Sequence, residues 1–447
     1  MDVSKLSWLS ATDAARAIRD GSISSEQLVE ACLARIRETD EKVQAWAFLD
    51  PEHALKQARD LDLRRSEGRA LGALHGVPVG IKDIIDTDDM PTEDGTVLHA
   101  GRTPSHDATV VAMLRAAGAV IMGKTVTTEL ATYAPGKTRN PHDPGHTPGG
   151  SSSGSAAAVA AGMVPLAVGT QTNGSVIRPA AYCGVFGFKP THGLISRHGV
   201  LKLSRALDQI GVFGRTLEDV ALILEQVVGY DERDPDTRPH ARIPFVAVAA
   251  EDPPLPPLIG FVKSPMWDHA TEETREAFAE ITDHLGDRVE EMVLPESARQ
   301  ALEWHRTVME AEMAANLAAE YDKGRERLSE SLQAQLERGR GYSALDYQKA
   351  LARIPQVVEG LAELFYRYDA LLTPSAASSA PQGLASTGDP EFCTIWTFCG
   401  MPALNLPLMR GAGGLPLGMQ LVGPRHGDAR LLRTARWLVN TLGSERE

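Results

Sequence analysis

Two Gly- and Ser-rich stretches constrain this chain most: Gly149-Gly150-Ser151-Ser152-Ser153-Gly154-Ser155 and, shortly after, Gly169-Thr170-Gln171-Thr172-Asn173-Gly174-Ser175-Val176-Ile177-Arg178-Pro179. A flexible linker has a similar composition. The first stretch, however, runs into Ala156 to Gly162, small residues in an apolar surround that read as a tightly packed helix. Small side chains let backbone approach backbone, and a helix start offers unpaired amide donors at the positive end of its dipole. Upstream, a lone lysine sits in an apolar run, Val77-Pro78-Val79-Gly80-Ile81-Lys82-Asp83. Burial disfavours the charged amine and pushes its pKa toward neutrality, which makes a lysine a base. Two serine-bearing turns and one desolvated amine point to a nucleophile activated by proton relay.

At 447 residues the chain fits one large α/β domain or two domains. Its 43% hydrophobic and 23% charged residues are ordinary for a soluble globular protein. A formal charge of -14 repels phosphate backbones and anionic lipid, so neither nucleic acid nor a membrane surface is an expected partner. No leader pattern or bilayer-length apolar stretch is evident, and the expected location is cytoplasmic. Cys32, Cys183, Cys393 and Cys399 lack CxxC or zinc-site spacing and read as reduced, buried small hydrophobes.

Ser24-Ser25-Glu26-Gln27 fits a capping box, and Leu28, Cys32, Leu33 and Ile36 follow at helical spacing. Gly76 to Ile85 reads as a buried strand. Asp107 is the expected cap of a helix bearing Val110, Val111 and Leu114 that Gly118 stops, and Ala119 to Met122 reads as the next strand. Thr216 opens another capped helix through Val220, Ala221 and Leu224. This alternation indicates an α/β sheet packed on both faces. A Pro-rich connection at 242–257 precedes the strand Leu258 to Val262; charged amphipathic helices fill 271–368; Ala370 to Pro374 and Pro416 to Val422 return to buried strands. The expected organisation is therefore one domain over 1–447, with a core at 67–225, a helical excursion, and a return to the sheet at 369–447.

Two motif matches fail on context. Gly118 to Thr125 spells GxxxxGK[ST], but a phosphate loop needs a strand before it, and here a helix precedes an apolar run. Gly150 to Gly154 spells GxSxG, yet His146-Thr147-Pro148-Gly149 is no strand. His426, near Asp428, is the late histidine a Ser, His, Asp mechanism would need, and it reads as an exposed loop residue.

Together the blocks resemble the amidase signature family, whose pattern joins a strand lysine, a GGSS[GS]GS tract and a block close to GTDTGGSIRxPA. Here they are Gly80-Ile81-Lys82-Asp83, Gly149 to Ser155 and Gly169 to Ala180, with 69 residues from Lys82 to Ser151 and 24 from Ser151 to Ser175. Asp83 to Thr87, Met90 to Glu93, Gly145 to Pro148 and Leu384 to Pro390 look most like bacterial malonamidase-type members. The resemblance implies a mixed, twisted sheet covered by helices on both faces. It also implies Ser175 as nucleophile, Ser151 after a cis peptide as the middle serine, and Lys82 as base. The implied oxyanion donors are the amides of Thr172, Asn173, Gly174 and Ser175, and a lost donor in such a hole costs roughly 3 to 4 kcal/mol. Thr170 is the candidate orienter of Ser151, and Ser153 a candidate support of the loop. Arg178 is a candidate for a substrate carboxylate, and Tyr133 and Trp396 are candidate pocket aromatics. The loop 125–140 and the helices of 296–368 are expected to wall the entrance.

Gln171 stands where most members have Asp, a feature shared with malonamidase-type members, and Asn173 stands in place of Gly. Asn tolerates φ > 0, so the turn can survive while the pocket narrows. The expected activity is hydrolysis of small amides through an acyl-enzyme, without cofactor or metal. The alternatives are hydrolysis of carbamate or urea-type bonds and the ammonia-releasing role of an amidotransferase component. The expected partner is a small amide-like molecule, and a homodimer is a candidate assembly.

Overall fold

Most strands here are short and buried, and they pair into one mixed sheet covered by helices. The computed structural model describes residues 3–294, 296–411 and 413–443. Its eleven strands are β1 (Trp46–Leu49), β2 (Pro78–Lys82), β3 (Val120–Thr125), β4 (Leu166–Gln171), β5 (Phe186–Lys189), β6 (Gln209–Gly214), β7 (Ile259–Lys263), β8 (Val289–Val293), β9 (Ala370–Pro374), β10 (Ala403–Arg410) and β11 (Pro416–Val422). They lie in the order β1-β3-β2-β4-β6-β5-β10-β11-β9-β7-β8. Pairings among β3, β2 and β4 are parallel, as are those among β9, β7 and β8; the rest are antiparallel. The protein is a single large α/β domain.

Side chains alternate across a strand, and this splits the core in two. Val120, Met122, Ala167 and Phe213 pack with Leu28, Cys32 and Ile36 of the capped helix Ser25–Val43. Val79, Ile81, Ile121, Val168 and Val212 pack on the opposite face with Val220 and Leu224 of Leu217–Val227, and with Val308 and Met313 of Glu296–Asn316. All four cysteines are buried and unbridged.

Three local readings change. Asp107 does not cap its helix: Thr109–Ala116 starts from Ala108 without a side-chain cap, and the Asp107 carboxylate instead accepts from the Asp88 amide and Arg115. A helix, Phe245–Ala250, occupies part of the Pro-rich connection. Within 271–368, β8 adds an edge strand between helices; its partly exposed Val-Glu-Glu-Met-Val pattern lacks the apolar run of the buried strands.

Candidate active site

Lys82 ends β2, a strand buried at every position. Its side chain is fully buried, and Nζ lies 2.6 Å from Ser151 Oγ and 2.7 Å from Thr170 Oγ1. Burial holds its pKa well below the usual lysine value, against a weaker upward pull from the Asp208 carboxylate. Both its hydrogen-bond partners among the described residues are hydroxyls. Asp208 is itself pushed up to about 6 by burial, although Thr172 Oγ1 donates to it at 2.6 Å and the Leu203 and Ser204 amides at 2.9 Å.

The two Gly/Ser blocks are locked together by backbone contact. Gly149 has φ +81°, and a Cβ there would lie 2.8 Å from Pro179 Cα, so no larger residue fits. The Gly150–Ser151 peptide is cis. Ser152 Oγ accepts from the Thr170 amide and donates to the Thr170 carbonyl, Ser153 Oγ donates to Val126 O, and Ser155 Oγ donates to Val168 O. Arg178, buried on Ile177–Cys183, donates through one terminal nitrogen to Gly150 O at 2.8 Å and Thr387 Oγ1 at 3.0 Å. Its Nε and other terminal nitrogen are buried without a partner among the described residues.

The turn from Gln171 to Ser175 is held by its outer groups. Gln171 Oε1 accepts from the Val176 and Ile177 amides at 2.7 and 3.0 Å, while its Nε2 donates to Thr397 Oγ1 at 2.8 Å. Thr397 Oγ1 donates to Asn173 O at 2.5 Å, and the Arg178 amide donates to Gly174 O. The Asn173 side chain donates to Tyr133 Oη and accepts from Thr394 Oγ1. The amides of Asn173, Gly174 and Ser175 make no hydrogen bond to another described residue.

A narrow pocket lined by Thr172, Asn173, Gly174, Ser175, Arg178 and Tyr133 borders a cavity of about 860 Å³. Tyr133, Asn173, Met309 and Gln335 line both, so the loop 125–140 and the inserted helices wall the approach. The larger cavity also exposes Arg306, Arg338 and Asp389, a polar lining.

Lys82, Ser151 and Thr170 thus meet, and Thr172, Asn173, Gly174, Ser175, Arg178 and Tyr133 line one pocket. Thr170 differs from its expected role, because its hydroxyl accepts from Lys82 rather than contacting Ser151. Trp396 lies in the core at 1% exposure and not in the pocket. The 426–428 turn is tied to Thr191 by the His426 amide and the Asp428 carboxylate, so it serves the fold. In Gly118 to Thr125, Gly118 follows a helix, β3 is wholly buried, and Lys124 Nζ is spent on Ile85 O and Thr92 Oγ1. Sequence reasoning missed His305, Thr387, Thr394, Thr397 and Asp208. His305, Thr394, Thr397 and Asp208 lie outside the motif blocks with no local pattern to mark them, while Thr387 lies within the Leu384 to Pro390 block but had no role assigned.

No helix among the described residues is long and apolar enough to cross a membrane. Residues 27–432 match the family model described as Amidase. The chain is 36% identical to a glutamyl-tRNA(Gln) amidotransferase component from Chloroflexus aurantiacus, over 96% of each chain. It is similar to the native peptide amidase from Stenotrophomonas maltophilia (TM-score 0.85, 29% identity, 97% of each chain). It is also similar to 6-aminohexanoate cyclic dimer hydrolase complexed with substrate (TM-score 0.88, 25% identity, 99% of this chain and 98% of that one). On the family match along nearly its whole length, the chain belongs to the amidase family.

Proposed function

We propose that this amide-hydrolysing enzyme works through Ser175, Ser151 and Lys82 on small amides whose acyl part carries a carboxylate. The single observation that carries the relay is the buried Lys82 amine at 2.6 Å from the Ser151 hydroxyl, with hydroxyls as its only hydrogen-bond partners among the described residues. A neutral amine keeps a lone pair for the Ser151 proton while one N–H is donated to Thr170. Ser175 Oγ attacks the amide carbon, its proton passes to Ser151, and the Ser151 proton passes to Lys82. The carbonyl oxygen becomes an oxyanion facing the unpaired amides of Asn173, Gly174 and Ser175, with Thr172 as the fourth candidate donor. The ammonium then returns a proton through Ser151 to the leaving nitrogen, the C–N bond breaks, and the acyl group stays on Ser175. Water releases the acid by the same relay.

Arg178 supports the substrate class. A buried guanidinium with two unpaired nitrogens and no carboxylate in hydrogen-bond contact calls for an anion. The resemblance of the motif blocks to malonamidase-type members supports the same reading. Tyr133 and Asn173 narrow the space beside it.

Amine release from a panel of small amides and anilides, with and without a free carboxylate, tests the reading. Ser175→Ala is expected to lower turnover by at least about 10⁴-fold, and mixed-substrate incubation to add an acyl mass on Ser175. Full turnover in that variant removes the nucleophile assignment, and equal rates on amides with and without a carboxylate remove the Arg178 role. The likeness to amidotransferase components over nearly their whole length favours one second reading, an ammonia-releasing member of a larger complex. In that case glutamine hydrolysis rises only when a partner enzyme is added.

A further inference from the structure

We propose that His305, on the helix inserted between β8 and β9, is a positioning residue that sets the direction of the oxyanion turn. The inference rests on the reading of that turn given above. In a trans peptide the carbonyl and the following N–H point opposite ways, and the bonds joining Thr172 to Ser175 are not among the cis peptides. Fixing each carbonyl on the outside of the turn therefore aims the next amide inward. Three anchors do this. The Arg178 amide, in the second residue of its helix, takes Gly174 O just ahead of that helix. Thr397 Oγ1, from Glu391–Phe398, takes Asn173 O. His305 Nε2 takes Thr172 O at 2.9 Å.

A carbonyl can only accept, so His305 Nε2 carries the proton in this contact. The ring is 1% exposed and lies 6.5 Å from Phe398 between ring centres. Burial pushes its pKa down to about 4, so at neutral pH it holds one proton and spends it here. Without this anchor the Thr172–Asn173 peptide is free to turn its carbonyl toward the pocket, which removes a donor and places a negative dipole where the oxyanion forms. Leu302, Arg306 and Met309 of the same helix line the large cavity. The element that meets the substrate is thus the one that aims the Asn173 amide.

Gln and Asn variants separate a positioning role from a structural one, because a Gln amide can reproduce the Nε2–H donor and a shorter Asn cannot reach Thr172. For His305→Asn, kcat is expected to fall about tenfold to a hundredfold with KM within about twofold. Affinity for a trifluoromethyl ketone, which forms an oxyanion on the nucleophile, falls by the same factor, while the pH profile of kcat/KM keeps its midpoint. His305→Gln restores kcat to within about fivefold of the parent, by the same donor logic. Equal activity in the Asn and Gln variants, or a loss confined to KM, overturns the proposal. Ser175→Ala assayed alongside separates the two readings. An active Ser175→Ala removes the site assignment itself, whereas an inactive one beside a fully active His305→Asn removes only the role of His305.

Discussion

Two lysines on neighbouring strands, Lys82 of β2 and Lys124 of β3, are both fully buried and serve opposite ends. In the parallel register Lys124 pairs with Ile81, so Lys82 lies one step along and on the other face. Lys124 donates to Ile85 O and Thr92 Oγ1 at 2.6 Å each, with the Asp83 carboxylate 3.9 Å away. Its pKa is lowered by burial only to about 8, because Asp83 pulls it back up. Lys82 has two hydroxyls and a more distant carboxylate, and its pKa falls well below the ordinary value. Burial makes either ammonium costly, so burial does not choose the base. The partners choose: a fixed carbonyl and a counter-charge keep Lys124 a structural cation, whereas hydroxyl partners leave Lys82 free to take the neutral form that the proposed relay requires.

Replacing each lysine by methionine is the sharpest way to break this contrast. Lys82→Met is expected to lose at least about 10⁴-fold in kcat/KM with no loss of thermal stability, since an apolar side chain replaces a desolvated amine. Lys124→Met is expected to cost about 2 to 4 kcal/mol, by leaving Ile85 O, Thr92 and Asp83 without their partner. Its turnover per folded molecule stays close to the parent value. Denaturant melts paired with active-site titration read both quantities, and a folded but inactive Lys124→Met would erase the distinction.

A smaller effect sharpens the comparison through pH. The folded pKa of Lys82 is depressed relative to the unfolded chain, so between these two values the unfolded state binds more protons and stability rises with pH. The Lys82→Met advantage in melting temperature should therefore be largest at lower pH and shrink as pH climbs toward the unfolded lysine value. An advantage that grows with pH would mean that Lys82 is charged in the fold. Smallest is the expected change in Asp208→Asn. Its carboxylate raises the Lys82 pKa, so removing that charge moves the rising limb of the kcat/KM profile to lower pH. A limb that stays in place, or moves up, dissociates Asp208 from Lys82.

Much of this was legible along the chain. Ser24 to Gln27 announces its helix through a reciprocal cap that forms as read, and Thr216 caps Leu217–Val227 in the same local way. Lys82 stood out as a lone lysine in an apolar run, and Ser151, Ser175 and Arg178 through the resemblance of their blocks to the amidase signature family. Asp107 misled, because an Asp before a helical pattern can spend its carboxylate on a nearby arginine instead of the cap. His305, Thr394 and Thr397 were invisible: a histidine in a charged helix or a threonine in an apolar one carries no signal until its partner is known.

The sequence by itself determined which residues the proposed chemistry is assigned to. Local spacing, small side chains and one lysine in an apolar strand fix backbone conformation and desolvation within each block. Tertiary structure alone decided how the blocks face one another and which distant groups pin the turn. His305 meets Thr172, 133 residues away, and Thr397 meets Asn173, 224 residues away. Such contacts depend on how the sheet and the inserted helices pack, and no local rule encodes a hydrogen bond between segments that only the folded core brings together.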